Sequence, residues 1–193
     1  MSEVLAFQFE LELDMHLEIP NFSENATISL FVLTPEHVTE AYVAWLNAPY
    51  INQYLENRFS IHNFETTQAF VAMTLASSDI VFFGIRSHLL NRHVGNIKLG
   101  PIDHHHGTGD IGILIGDKAA WGKGIATAAI SVISEIARNQ LNLRKLTASC
   151  YASNGGSQRA FEKTGFVVEG TRPAQFLLNG TPEDMVLMGR ILK

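Results

Sequence analysis

Cysteine is almost missing from this chain. Cys150 is the only one, which excludes an internal disulfide and any zinc site built on cysteines. It lies in the apolar run Leu146–Tyr151, where a buried strand thiol is favoured over a reactive one. Charge is sparse as well, at 17% of residues against 46% hydrophobic, so neither intrinsic disorder nor a charged coiled coil fits. Basic runs are lacking: 14 Lys and Arg stand against 19 Asp and Glu, a formal net charge of −5. General nucleic-acid binding needs cations gathered on a phosphate-facing surface and is not expected; cationic or neutral substrates are easier to accommodate. No apolar run approaches the length of a membrane span. The opening residues MSEVLAFQFELELD carry acids in place of a basic segment followed by an apolar one. A cytoplasmic protein with no membrane partner is the expectation.

What is there reads as one α/β domain, since 193 residues suffice for a single sizeable core. Phe7, Phe9, Leu11 and Leu13 alternate with polar residues, the period of a half-buried strand, so residues 1–26 are expected to add a strand to a domain spanning 27–193. A strand at about 27–33 leads to Thr34-Pro35-Glu36, where Thr34 caps and Pro35 opens a helix to about Leu46. The Pro49 region breaks it. A short helical turn at 50–55, a loop at 56–62 and a helix at 64–76 follow. Three β-type runs at 80–86, 93–99 and 110–115 then predict an antiparallel meander. The spacing of Ile125, Ala129, Val132, Ile133 and Ile136 predicts a helix over 122–139. A strand at 145–151, a helix at 157–164 stopped by Gly165, and strands at 166–171 and 185–192 complete the order, with Asn179-Gly180 as a hairpin turn before the last.

The most informative stretch is strand 110–115, then Gly116-Asp117-Lys118-Ala119-Ala120-Trp121-Gly122-Lys123-Gly124-Ile125-Ala126-Thr127, then a long helix. A glycine-rich turn opening a helix gathers unpaired N–H groups and the positive dipole end at one point, which suits a phosphate; by itself the same turn also serves as a plain helix cap. It lacks the third glycine of a dinucleotide fingerprint and the Gly-Lys-Ser/Thr of a Walker loop.

Together with Asn154-Gly155-Gly156-Ser157 and Ala160-Phe161-Glu162-Lys163-Thr164-Gly165-Phe166, this stretch resembles the GNAT acetyltransferases over about residues 27–192. Within them it is similar to the branch containing the ribosomal-protein alanine N-acetyltransferases. Ala119 stands where many members have Gln or Arg. The resemblance implies a mixed, mostly antiparallel sheet with helices on both faces, splayed between strands 110–115 and 145–151 to admit the pantetheine of acetyl-CoA. It implies that Trp121, Gly122, Lys123, Gly124, Ile125, Ala126 and Thr127 hold the pyrophosphate. Ile113, Leu114 and Ile115 would offer backbone hydrogen bonds to the pantetheine arm and a donor to the thioester oxygen. Asn154 would bond the pantetheine or cap the following helix.

Phe161, beside the cofactor, stands where many relatives carry an acidic Tyr and has no proton to give. Ser157, four residues earlier and facing the same way, is similar to the serine proposed in this branch to assist the leaving thiolate; as a bare residue it is also an ordinary first-turn serine. Relatives carry a Glu where Phe176 stands. An α-amine is about a tenth neutral at pH 7, whereas a lysine amine needs roughly 4–5 kcal/mol of help, so this absence favours α-amines or amino sugars. Glu56 and Asp184 are candidate bases, each also readable as a surface or hairpin acid. Asn57, Arg58 and Phe176 are candidate acceptor-side residues, with Arg58 either holding an anionic group or pairing locally. The implied activity is direct acetyl transfer to a small amine or a protein N-terminus, and a homodimer is compatible with it. The other class of function is a non-catalytic acyl-CoA sensor, suggested by Phe161 and Phe176. Adjacent His104, His105 and His106 cannot all face one ion, and no metal is assigned.

Overall fold

The computed structural model describes residues 28–193; the strand expected near Phe7–Leu13 lies outside them. One seven-stranded sheet organises the described residues. Strands β1 (Ile28–Val32), β2 (Val81–Ser87), β3 (Arg92–Asp103) and β4 (Thr108–Ile115) run antiparallel in order, as the meander predicts. Strand β5 (Lys145–Tyr151) then lies parallel to β4, and the hairpin of β6 (Val167–Leu178) and β7 (Thr181–Ile191) closes the order β1-β2-β3-β4-β5-β7-β6. Its turn is Asn179-Gly180, with φ of +52° and +80°, the left-handed pair that tight hairpins require.

Period-2 alternation gives the sheet two buried faces. On β2, adjacent Phe83 and Phe82 enter different cores. The larger core packs α4 (Ile125–Asn139) and α5 (Gly155–Glu162) on one face, with Ile125, Ile130, Ile133 and Phe161 almost fully buried. The smaller packs α1 (Glu40–Asn47), α2 (Pro49–Asn52) and α3 (Phe64–Leu75) on the other, around Tyr42, Trp45, Leu46 and Val71.

Several predicted boundaries move for local reasons. Thr34 and Pro35 open only a 3-10 turn, Pro35–His37, not a helix to Leu46. Val38 leaves it in an extended conformation and buries its side chain, and Thr39 caps α1 afresh by accepting from the Tyr42 N–H at 3.2 Å. The loop at 56–62 contains a 3-10 turn, Glu56–Phe59. Helix α4 starts at Ile125, three residues after the predicted Gly122, because Gly122 and Gly124 have φ of +72° and +76°, outside right-handed helix geometry. Helix α5 begins at Gly155, two residues before the expected Ser157.

The feature that positions the site is a fork. Strands β4 and β5 pair only at Thr108–Lys145, Gly109–Leu146 and Asp110–Thr147. At the last pair the Thr147 hydroxyl donates to the Asp110 carboxylate at 2.7 Å. Beyond it β4 stays paired with β3 through Ile115 and β5 with β7 through Tyr151, but the two strands part.

Candidate functional site

The fork opens into a cavity of about 630 Å³ that passes through the sheet. Its lining draws Ile113, Ile115, Cys150, Ala160 and Phe161 from the larger core and Ile51, Leu55 and Leu114 from the smaller. Ile111–Ile115 of β4 form one wall with their backbone edge unmatched by β5. Ser149 and Cys150 form the other. Burial, then the charge of Glu162, pushes the Cys150 thiol up from its ordinary value, so it stays protonated and poorly nucleophilic at neutral pH.

Trp121, Gly122, Gly124, Ile125, Ala126 and Thr127 line one end. The first intrahelical bond of α4 runs from the Ala128 N–H to the Gly124 carbonyl, so the N–H groups of Ile125, Ala126 and Thr127 have no acceptor within the helix. Gly124 supplies no side-chain cap. Helices α1, α3 and α5, by contrast, are capped by Thr39, Asn63 and Asn154. An uncapped helix start with a left-handed glycine turn facing a cavity is a cradle for an anion. Trp121 reinforces it, its indole N–H donating to the Ile115 carbonyl at 2.8 Å. Lys123 is exposed and lies outside the lining.

Asn154 accepts from the Ser157 N–H at 3.2 Å and also lines the cavity, so capping and cavity contact coexist. Ser157 and Phe161 both line it, Ser157 half-buried and Phe161 packed edge-on against Phe166.

On the opposite face the chain brings together residues far apart in sequence. The Tyr151 hydroxyl donates to Glu56 Oε1 at 2.6 Å across 95 positions. The Tyr151 ring stacks on Phe176 at 4.1 Å and meets Tyr54 at 5.4 Å. Burial, then the carboxylate of Glu56, raises the Tyr151 phenol above its ordinary value, keeping it a donor. Arg58 binds the carbonyls of Leu55 and Leu177, each at 2.8 Å, and lies 3.4 Å from Glu56. Its guanidinium thus clamps the 3-10 turn onto β6. Glu56 reaches the cavity; Asn57, Arg58 and Phe176 do not. Asp184 accepts from the Ala174 N–H at 2.8 Å inside the β6–β7 hairpin and is likewise absent from the lining. Tyr50, Tyr54 and Tyr151 carry no sequence signal for this site, because what selects them is long-range packing.

Residues 28–167 match the family described as acetyltransferase (GNAT) domain. The probable N-acetyltransferase YjcK of Bacillus subtilis (strain 168) is 36% identical over 103 residues, 53% of this chain and 56% of its own length. The chain therefore spans little more than half of that relative. Among solved structures, spermidine N-acetyltransferase from Vibrio cholerae in complex with CoA and spermine aligns with a TM-score of 0.77 at 21% identity, covering 86% of this chain and 95% of that one. The microcin C7 self immunity acetyltransferase MccE in complex with acetyl-CoA and AMP gives 0.73 at 22%, covering 85% and 92%. At these identities the two structures establish a shared fold. Among the described residues no helix is long and apolar enough to cross a membrane.

Proposed function

The chain belongs to the GNAT acetyltransferase family, and from that premise we propose that it transfers acetyl from acetyl-CoA directly to a primary amine. The observation that carries this reading is the through-sheet cavity, with an uncapped glycine turn at one end and Glu56 at the other. Acetyl-CoA would lie with its pyrophosphate on Trp121–Thr127, Lys123 contributing through its backbone and charge, and its pantetheine along Ile113–Ile115 and Asn154. The thioester then sits in the fork, reachable by an amine entering from the α1–α3 face. The amine lone pair attacks the carbonyl, the N–C bond forms, and the C–S bond breaks. Glu56, held by Tyr151, receives the amine proton. Ser157 donates a hydrogen bond to the departing thiolate, the task for which Phe161 has no proton. A β4 backbone N–H would stabilise the oxyanion.

Asn57, Arg58 and Phe176 support the acceptor side from behind, Arg58 by fixing the Glu56 turn and Phe176 by fixing the Tyr151 ring. The Asn154–Gly165 segment supports placement near the ribosomal-protein branch, and residues 27–193 as one catalytic domain. This reading carries a cytoplasmic location, no nucleic-acid partner, and a monomer or homodimer to be separated by sedimentation. The acceptor is a small amine or a protein N-terminus. Thiol release from acetyl-CoA against polyamines, amino sugars, aminoacyl nucleotides and peptide α-amines tests it. Turnover with one class identifies the acceptor class; CoA binding without turnover on any amine establishes the sensor instead.

A further inference from the structure

Among the described residues, three charged side chains line the cavity. Glu56 lies on the α1–α3 face, and Arg159 and Lys163 lie on the α5 side. The cavity is therefore electrically polarised, and the acetyl-transfer chemistry uses its negative end alone. Gly156, Arg159, Ala160 and Lys163 fall at i, i+3, i+4 and i+7, one stripe of α5 and its C-cap. Gly156 and Ala160 keep the stripe low between the two cations.

Arg159 leans back over the start of its own helix: a Cβ placed on Gly155 would lie 3.0 Å from its Nη1. A guanidinium beside the positive end of a helix is disfavoured by the dipole. Among the described residues neither Arg159 nor Lys163 has an ion-pair partner. The nearest acid on the helix, Glu162, instead accepts from Gln158 at 2.8 Å. An anion bound between α5 and the glycine turn supplies the missing partner. A CoA-type ligand whose pyrophosphate sits on Trp121–Thr127 carries one more anion, the dianionic phosphate on its ribose, and Arg159 and Lys163 line the same cavity as that turn.

We propose that Arg159 and Lys163 bind the 3′-phosphate of CoA and make the site selective for CoA over dephospho-CoA. This rests on the acetyl-CoA reading above and extends it to which form of the cofactor is accepted. Calorimetry with both ligands tests it on the wild type and on the Arg159→Gln/Lys163→Gln double variant, whose altered side chains are exposed in the native fold; circular dichroism confirms folding. The wild type is expected to prefer CoA by about tenfold to a hundredfold, the scale of charge-assisted hydrogen bonds. In the variant that preference falls below about threefold through loss of CoA affinity alone, and added salt narrows it in the wild type. Equal wild-type affinities, or equal weakening of both ligands, overturns the subsite and leaves the acetyl-CoA reading standing. A wild type that binds neither ligand overturns both.

Discussion

The two faces of the sheet offer a ligand different means of recognition. On the α4–α5 face the wall is mostly backbone: an unmatched strand edge, a left-handed glycine turn and three N–H groups at the start of a helix. On the α1–α3 face it is side chains, with Glu56 held by Tyr151 and Tyr151 stacked on Phe176. Backbone recognition is written in a few contiguous residues and tolerates wide change elsewhere. Side-chain recognition is assembled from distant segments and is easily retuned, which is how one fold serves many acceptors.

Breaking the backbone side has the largest expected effect. Gly124→Asp puts a side chain at φ +76° and a negative charge where the pyrophosphate is proposed to lie. It is expected to weaken CoA by more than about a hundredfold, the combined scale of backbone strain and charge repulsion. Unchanged affinity by calorimetry in a folded variant refutes the phosphate assignment.

Ser157→Ala comes next. In the proposed role its hydroxyl acts mainly in the transition state, so kcat is expected to fall near a hundredfold while CoA affinity holds. Since Asn154 caps α5 through the Ser157 backbone N–H, the substitution leaves the cap and the melting temperature nearly unchanged. An unchanged kcat removes Ser157 from the chemistry.

Tyr151→Phe sharpens the comparison by deleting one hydroxyl on the acceptor face while keeping the stack on Phe176. Turnover is expected to drop about three- to tenfold, the net scale of one typical hydrogen bond. CoA affinity, set on the other face, should not move. A loss of CoA binding of the same size would show that the faces are not independent.

The smallest effect is in acid. His93 is held among Phe31, Tyr42 and Trp45 with its Nε2 2.8 Å from the Gly95 carbonyl and from Asn96 Oδ1. Burial is the largest cause that holds its pKa below the ordinary 6.5. The unfolded chain therefore binds this proton at higher pH than the folded one. The stability contributed by neutral His93 is fully present above about pH 6.5 and is lost as pH falls through the interval down to the lowered value. A melting temperature that declines by a few degrees over that interval, and declines less in His93→Gln, is the expected outcome. A flat profile removes His93 as the cause.

The difference between the faces also explains what could be read from residues alone. The meander, the long helix, the Asn179-Gly180 turn and the fork strands were legible because period, turn chemistry and motif spacing are local. The glycine turn was legible for the same reason, although the helix start slid three residues because left-handed φ values do not show in hydrophobic spacing. The acceptor side was not. Glu56 was one of two candidate bases, each also readable as an ordinary acid, until folding placed Tyr151 beside it. Arg58 could be read as an anion ligand until its guanidinium was found on the Leu55 and Leu177 carbonyls, the second 119 positions away. Asp184 was equally plausible until the hairpin took it.

The fork also has a mechanical meaning. Three residue pairs join a four-stranded half-sheet to a three-stranded one, and the last of them is pinned by the Thr147–Asp110 hydrogen bond. From that pivot β4 runs on through Ile111–Ile115, five residues or about 16 Å at 3.3 Å per residue. Turning one half-sheet against the other about the pivot changes the gap at Ile115 by about 0.3 Å for each degree, from that same rise. A rotation of a few degrees thus changes that gap by about 1 Å, from the same rise, and the Glu56 turn, which belongs to the β1–β2 connection but is hydrogen-bonded to Tyr151 and Leu177, bridges the two half-sheets across it.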